Sequence, residues 1–177
     1  MAKVGIFFGT DTGNSRKVAK TIHKQLGDAL CDKPVNIQKA SIDDLLAYDV
    51  LIIGTPTYGE GELPGLTAGT STESWEEFMP NLAGADFSGK TIALYGLGDQ
   101  EGYPGNFVDA LGMLYDAFAD CGANFVGFTG TEGYTFTASK AVLDDQFVGL
   151  VLDEDNQKEL SDTRLQDWLQ QIESAWA

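Results

Sequence analysis

Metal-binding side chains are scarce in this sequence. It has one histidine, His23, and two cysteines, Cys31 and Cys121, in 177 residues. The cysteines lie far apart, with neither CxxC nor any other metal-ligand spacing, and read as free thiols. His23 falls in a helical pattern, where a solvated or partly packed imidazole is the ordinary expectation. With no second imidazole and no paired cysteines, metal catalysis has little support. Long apolar runs are missing too. None approaches the roughly 20 residues of a membrane span. The first, VGIFFG, is too short for a signal-peptide core and Asp11 soon follows. A cytoplasmic protein without a membrane partner is expected. Positive charge is also in short supply: 11 Lys and Arg face 27 Asp and Glu, a net charge of −16. Nucleic acid and anionic lipid are therefore repelled. A basic protein partner is attracted, or the acidity serves only solubility.

What the sequence does contain is alternation. Val4 to Phe8 is a short apolar, β-rich run that reads as a buried strand. Val18, Ile22 and Leu26 follow at helical spacing. Pro34 to Ile37 begins a second strand. Ser41, with Asp44 three residues on, predicts a capped short helix through Leu46. Val50 to Ile53 is a third strand, apolar throughout, as expected if both its faces are covered. Glu73 to Met79 reads as helix and Thr91 to Tyr95 as a fourth strand. Phe107, Leu111, Leu114 and Phe118 mark another helix, and Asn124 to Phe128 a fifth strand. Phe147 to Leu152 is again apolar, and Leu165, Trp168, Leu169 and Ile172 form the stripe of a last helix. The length suits one domain, residues 1–177. Five strands alternating with helices imply an α/β sheet with helices on both faces. The polar stretch Thr129 to Gln146 separates two pieces that both fit the fifth strand, and reads as an insertion in an edge strand.

Sheets of this class bind ligands beyond the carboxyl ends of their strands. That rule selects three loops, GTDTGNS after the first strand, GTPTYGEGELPG after the third and GLGDQEGYPGNF after the fourth. The first runs into a helix N-terminus, whose free N–H groups and dipole favour an anion. Thr10, Thr12, Asn14 and Ser15 add short donors, and Gly13 lets the backbone come close. The loop lacks the lysine and length of a Walker A motif, and it is not GxGxxG. A phosphate monoester fits it, as does a plain helix cap from Thr12. The second loop carries Tyr58 before a tight turn with positive φ near Gly59 or Gly61. The third carries Tyr103. Two tyrosines on loops that converge beside a phosphate site suit a planar ring. Together these features point to a mononucleotide such as FMN.

The stretches GIFFGTDTGNSRKVA, GTPTYGEGELPG and GKTIALYGLGDQEGYPGNF, in that order, resemble the flavodoxin family over the whole chain. The family's sheet order, 2-1-3-4-5, comes from that resemblance and not from the periodicities above. It implies a flavodoxin-like, doubly wound five-stranded parallel sheet of the long-chain type. It also implies FMN as cofactor, one-electron transfer between semiquinone and hydroquinone, and no enzymatic acid or base. Thr10, Asp11, Thr12, Gly13, Asn14 and Ser15 resemble the family's phosphate loop. Thr55, Pro56, Thr57, Tyr58, Gly59 and Gly61 resemble the loop on the inner flavin face. Tyr103 resembles the outer stacking residue. Asp99, Asn106 and Val108 resemble positions whose backbone meets the flavin's pyrimidine edge, and Gly98 and Phe107 beside them are further candidates for cofactor binding. ELPGL followed by ESWEEF is similar to flavodoxins of nitrogen-fixing bacteria, which implies the nitrogenase iron protein as acceptor, an upstream reductase as donor and a monomeric carrier. Two rivals stand beside this reading. One is an FMN-dependent NAD(P)H:quinone reductase of related fold, which needs a nicotinamide site. The other is a receiver domain, which needs an aspartate where the third strand ends in IIGTP.

Overall fold

The computed structural model describes residues 3–9 and 13–177. Its centre is a parallel sheet of β1 (Val4–Phe8), β2 (Val35–Asn36), β3 (Val50–Pro56), β4 (Thr91–Leu97) and β5 (Asn124–Val126). The order across the sheet is β2-β1-β3-β4-β5, with every ladder parallel. This is the expected order. β1 and β3 are buried along their whole length, which is why their residues are apolar without alternation.

Alternate residues of each strand feed two separate cores. Phe7, Leu51, Ile53, Ile92 and Leu94 face one side. There they meet α3 (Trp75–Phe78) and α4 (Asp109–Asp120) through Trp75, Phe78, Leu111, Leu114 and Phe118. Val4, Ile6, Ile52, Ala93 and Tyr95 face the other side. They meet α1 (Asn14–Leu26) and α5 (Ser161–Ile172) through Val18, Ile22, Leu165, Trp168 and Ile172. Helices thus cover both faces. No helix among the described residues is long and apolar enough to cross a membrane.

Several element ends differ from the sequence reading. β3 and β4 run on to Pro56 and Leu97, because Gly54, Thr55 and Pro56 stay in register with Tyr95, Gly96 and Leu97. β2 stops earlier than predicted. The Asn36 side chain accepts the Gln38 N–H and opens a 3-10 turn, so Ile37 leaves the sheet. The predicted cap on α2 (Ile42–Leu46) is present as a reciprocal box. The Ser41 hydroxyl accepts from Asp44 N–H at 3.2 Å, and Asp44 accepts from Ser41 N–H at 2.8 Å. The helix predicted over 73–79 is shorter, with the single turn α3 followed by a 3-10 turn at Met79–Leu82.

The insertion divides the edge strand as expected. β5 pairs with β4 at Thr91–Ala93, and β9 (Leu150–Leu152) takes up the same edge of β4 at Tyr95–Leu97. The chain between them folds into β6 (Thr129–Gly130), β7 (Val142–Leu143) and β8 (Gln146–Phe147), an antiparallel sheet in the order β6-β8-β7.

Candidate functional site

Three loops leave the carboxyl ends of β1, β3 and β4 side by side. Thr10, Asp11 and Thr12 of the first lie outside the described residues. The rest of that loop is held by contacts that only glycine permits. At Gly54 a Cβ would collide with the Tyr95 ring, so the ring lies across β3 at that point. The Tyr95 hydroxyl then donates to the Ser15 carbonyl at 2.9 Å and ties β4 to the first turn of α1. The Gly54 carbonyl accepts from Gly9 N–H at 3.0 Å and from Trp75 Nε1 at 2.9 Å. Gly13 precedes α1 with φ 92.

The second loop closes as a tight turn. Tyr58 and Glu62 exchange N–H···O bonds of 2.8 and 2.7 Å. Gly59 and Gly61 both take positive φ, 50 and 94. The sequence left open which of them would; the turn needs both. Gly61 also packs directly against Asp109, where a Cβ would lie 2.6 Å from Oδ2.

The third loop is shaped by Asp99. Its Oδ1 accepts from Gly102 N–H at 2.7 Å, Glu101 N–H at 3.1 Å and Asn156 Nδ2 at 2.8 Å. The Gly102 N–H, then the Asn156 amide, hold its carboxyl below the usual aspartate range. The loop ends at Val108, fully buried and in the left-handed region at φ 49. For a β-branched residue that is a strained backbone, persisting because the packing around it fixes it.

These loops enclose a cavity of about 370 Å³, within the range of small-molecule sites. Of the residues predicted for the site, Asn14, Pro56, Thr57, Tyr58, Gly59, Gly98, Asp99, Tyr103, Asn106, Phe107 and Val108 line it. Gly13, Ser15, Thr55 and Gly61 do not. Thr55 is buried and its hydroxyl donates to the Pro56 carbonyl at 2.8 Å. Ser15 sits in the first turn of α1, fully buried. Its Oγ, like the Oγ1 of Thr57, has no hydrogen-bond partner among the described residues. A bound group that supplies acceptors would satisfy both. Tyr58 is half-buried, whereas Tyr103 is 47% exposed. Glu60, Glu62 and Glu101 are exposed on the same two loops.

The sequence reading missed two parts of the site. Asp155 also lines the cavity. It follows the carboxyl end of β9, the second piece of the split edge strand, and the strand-end rule was applied only to the loops after the first, third and fourth strands. Partial burial, then the carboxylates of Asp99 and Asp153, push its pKa upward. Asp153, Asp99 and Asp155 lie within 4.8 Å of one another, but the buried Asp153 is already saturated. It accepts from Gln100 N–H and Nε2, from Asp155 N–H and from Asn156.

The second omission is the insertion. It braces the third loop through backbone bonds from Thr137 and Ala138 to the Pro104 carbonyl and from Phe107 to the Ala138 carbonyl. Thr135 N–H donates to Gln100 at 2.6 Å and Lys140 N–H to Asp109 at 2.7 Å. Phe107 packs its ring against Tyr134, Phe136 and Phe147.

Comparison with known proteins agrees with this geometry. A family model described as flavodoxin matches residues 6–168. A flavodoxin from Klebsiella pneumoniae is 56% identical over 172 residues, 97% of each chain. One from Enterobacter agglomerans is 50% identical over 176 residues, 99% of each. Among solved structures, a flavodoxin of Fusobacterium nucleatum bound to flavin mononucleotide matches with a TM-score of 0.89 at 30% identity, over 100% of both chains.

Proposed function

Because this chain belongs to the flavodoxin family, we propose that it is a low-potential one-electron carrier using non-covalently bound FMN, and not an enzyme. The observation that carries the proposal is the cavity of about 370 Å³ at the strand ends, with Tyr58 and Tyr103 in its wall and an orphaned Ser15 hydroxyl at the adjoining helix start. When bound, FMN supplies single-electron steps between its half-reduced and fully reduced forms. The residues present fit that group. Thr10, Asp11, Thr12, Gly13, Asn14 and Ser15 would hold the phosphate on backbone N–H groups, the neutral side chains of Thr10, Thr12, Asn14 and Ser15, and the dipole of α1. Pro56, Thr57, Tyr58 and Gly59 would cover one face of the ring and Tyr103 the other, with Thr55 and Gly61 shaping the loop behind them. Gly98, Asp99, Asn106, Phe107 and Val108 meet its polar edge. No residue needs to move a proton to substrate.

Ser15→Ala tests the assignment. FMN affinity should fall by roughly 1–3 kcal/mol, because phosphate hydrogen bonds are lost. Riboflavin, which has no phosphate, should bind as before. Equal losses for the two ligands would remove Ser15 from the phosphate site. NADPH oxidation by the FMN-loaded protein alone would return the reductase reading.

The kind of docking face follows from charge, and the named acceptor from the resemblance of ELPGL and ESWEEF. Exposed Glu60, Glu62 and Glu101 and the half-buried Asp99 place negative charge on the loops around the cavity, which opposes a second electron on the flavin and attracts a Lys- and Arg-lined face. We assign the nitrogenase iron protein as acceptor and a reductase as donor, with the carrier acting as a monomer in the cytoplasm. Stopped-flow electron transfer to the iron protein should slow as salt rises, and Glu60→Gln with Glu62→Gln should flatten that slope. Identical slopes would mean that these carboxylates do not dock the partner.

A further inference from the structure

A second cavity, of about 520 Å³, lies between α1 and the segment that carries β2. It shares no lining residue with the cavity described above. Arg16, Lys20 and His23 stand at i, i+4 and i+7 of α1 and therefore on one helix face. Lys33 and Lys39 flank β2 on the facing segment.

Four of the eleven Lys and Arg of a chain with net charge −16 thus converge on one cavity, and no Asp or Glu lines it. None of the four has an ion-pair partner among the described residues. α1 itself carries no acid from Asn14 to Leu26, so the i,i+4 pairs that usually neutralise a solvated basic helix are absent. Arg16 also sits in the first turn, where the helix dipole disfavours a cation. All four side chains are exposed and solvated, but helix stability does not account for their convergence.

The remaining walls are apolar or flat. Phe8, Pro34 and Val35 contribute, and the Arg16 guanidinium lies 5.8 Å from the centre of the Phe8 ring. The Asp28 carboxylate lies 2.8 Å from His23 Nε2. Unpaired cations repel one another until an anion joins them, and lysine and arginine are the usual phosphate ligands.

We propose that this cavity is a binding site for a small organic anion carrying at least two phosphate groups, of the nucleoside diphosphate class. The cations take the phosphates, and the Phe8–Pro34–Val35 wall takes the apolar body. The cavity volume accommodates a ligand of that size.

The test is an NMR titration of the 15N-labelled, FMN-loaded protein with ADP and, separately, with inorganic pyrophosphate. Ionic strength is held constant and sulfate is the control. ADP should cause saturable shifts at Arg16, Lys20, His23, Asn36 and Lys39. Pyrophosphate should reach the same residues with lower affinity. Lys20→Gln with Lys39→Gln should weaken ADP at least about tenfold, while the flavin absorption spectrum stays unchanged. Lys33→Gln, on the other wall, repeats the test if that pair perturbs folding. Shifts that sulfate reproduces, shifts that never saturate, or shifts that survive these substitutions would overturn the proposal. Equal affinities for ADP and pyrophosphate would overturn the apolar half of it. Binding of polyglutamate but of neither small anion would overturn it in favour of an acidic protein surface.

Discussion

Tyr95 is buried on the sheet and reaches across Gly54 to the first turn of α1. Burial pushes its phenol far above the ordinary tyrosine range, so the hydroxyl stays a donor. Tyr95→Phe should cost about 1 kcal/mol of apoprotein stability in urea, the net value of one such bond. FMN affinity should fall with it if this bond positions the phosphate loop. An unchanged affinity would confine Tyr95 to stability. Two aspartates near the third loop carry opposite pH signatures. Asp99 has a lowered pKa, so its contribution is present above the unfolded value near 4 and is lost as pH falls through the folded one. Asp155 has a raised pKa, so its contribution is present below the unfolded value and is lost as pH rises through the folded one. Asp155→Asn should therefore raise apoprotein stability at pH 7. Asp99→Asn should reduce the loss of stability below about pH 4. Urea midpoints at stepped pH check both signs.

At the scale of elements, the three loops were legible because each follows an apolar run that could only be a strand. α2 was legible through its cap, and the split edge strand through two apolar pieces flanking a polar one. What the insertion does was not legible. Its contacts with Pro104, Gln100 and Asp109 are made by backbone groups of residues 135–140, and no residue type advertises a backbone bond. Val108's left-handed backbone was hidden for the same reason: valine is the wrong residue to announce it, and only the surrounding packing imposes it. The pairing of Asp99 with Asn156 spans 57 residues and leaves no local pattern. Phe136 shows what the insertion contributes. Its ring centre lies 5.4 Å from that of Phe107 and 5.5 Å from that of Phe147. It is half-buried, so Phe136→Ala should cost about 2 kcal/mol, less than the ~3–5 kcal/mol of a fully buried phenylalanine. FMN should bind more weakly as well, since Phe107 lines the cavity. Calorimetric unfolding and flavin titration measure the two effects, and a stability loss with full FMN affinity would make the insertion a bystander to the site.

For the molecule as a whole, charge opposes folding. Two lysine ion pairs are formed among the described residues, Lys3 with Asp32 and Lys90 with Asp49. With 27 acids in the chain, most carboxylates repel one another unpaired. Screening length falls from about 30 Å at 0.01 M salt to about 3 Å at 1 M. The apoprotein Tm should therefore rise, on the order of 5 °C, between roughly 10 and 500 mM sodium chloride. A flat Tm in that range would show that the acids are spaced too widely to matter.

The sheet order also sets a clock. Phe7 pairs with Val35, Val4 with Val50, Val50 with Thr91 and Tyr95 with Leu150. Each ladder closes a loop on the order of 30–55 residues, and no contact rewards the closure until the loop is shut. β4 has ladders on both sides and waits for segments from both halves of the chain. Single helices form in microseconds, but refolding of this apoprotein should take milliseconds to seconds. Leu94→Ala, at the middle of β4, should slow refolding, whereas Leu165→Ala, in α5, should mainly hasten unfolding. Stopped-flow chevrons of the two variants would expose the opposite pattern, in which the outer helix and not the central strand governs the rate.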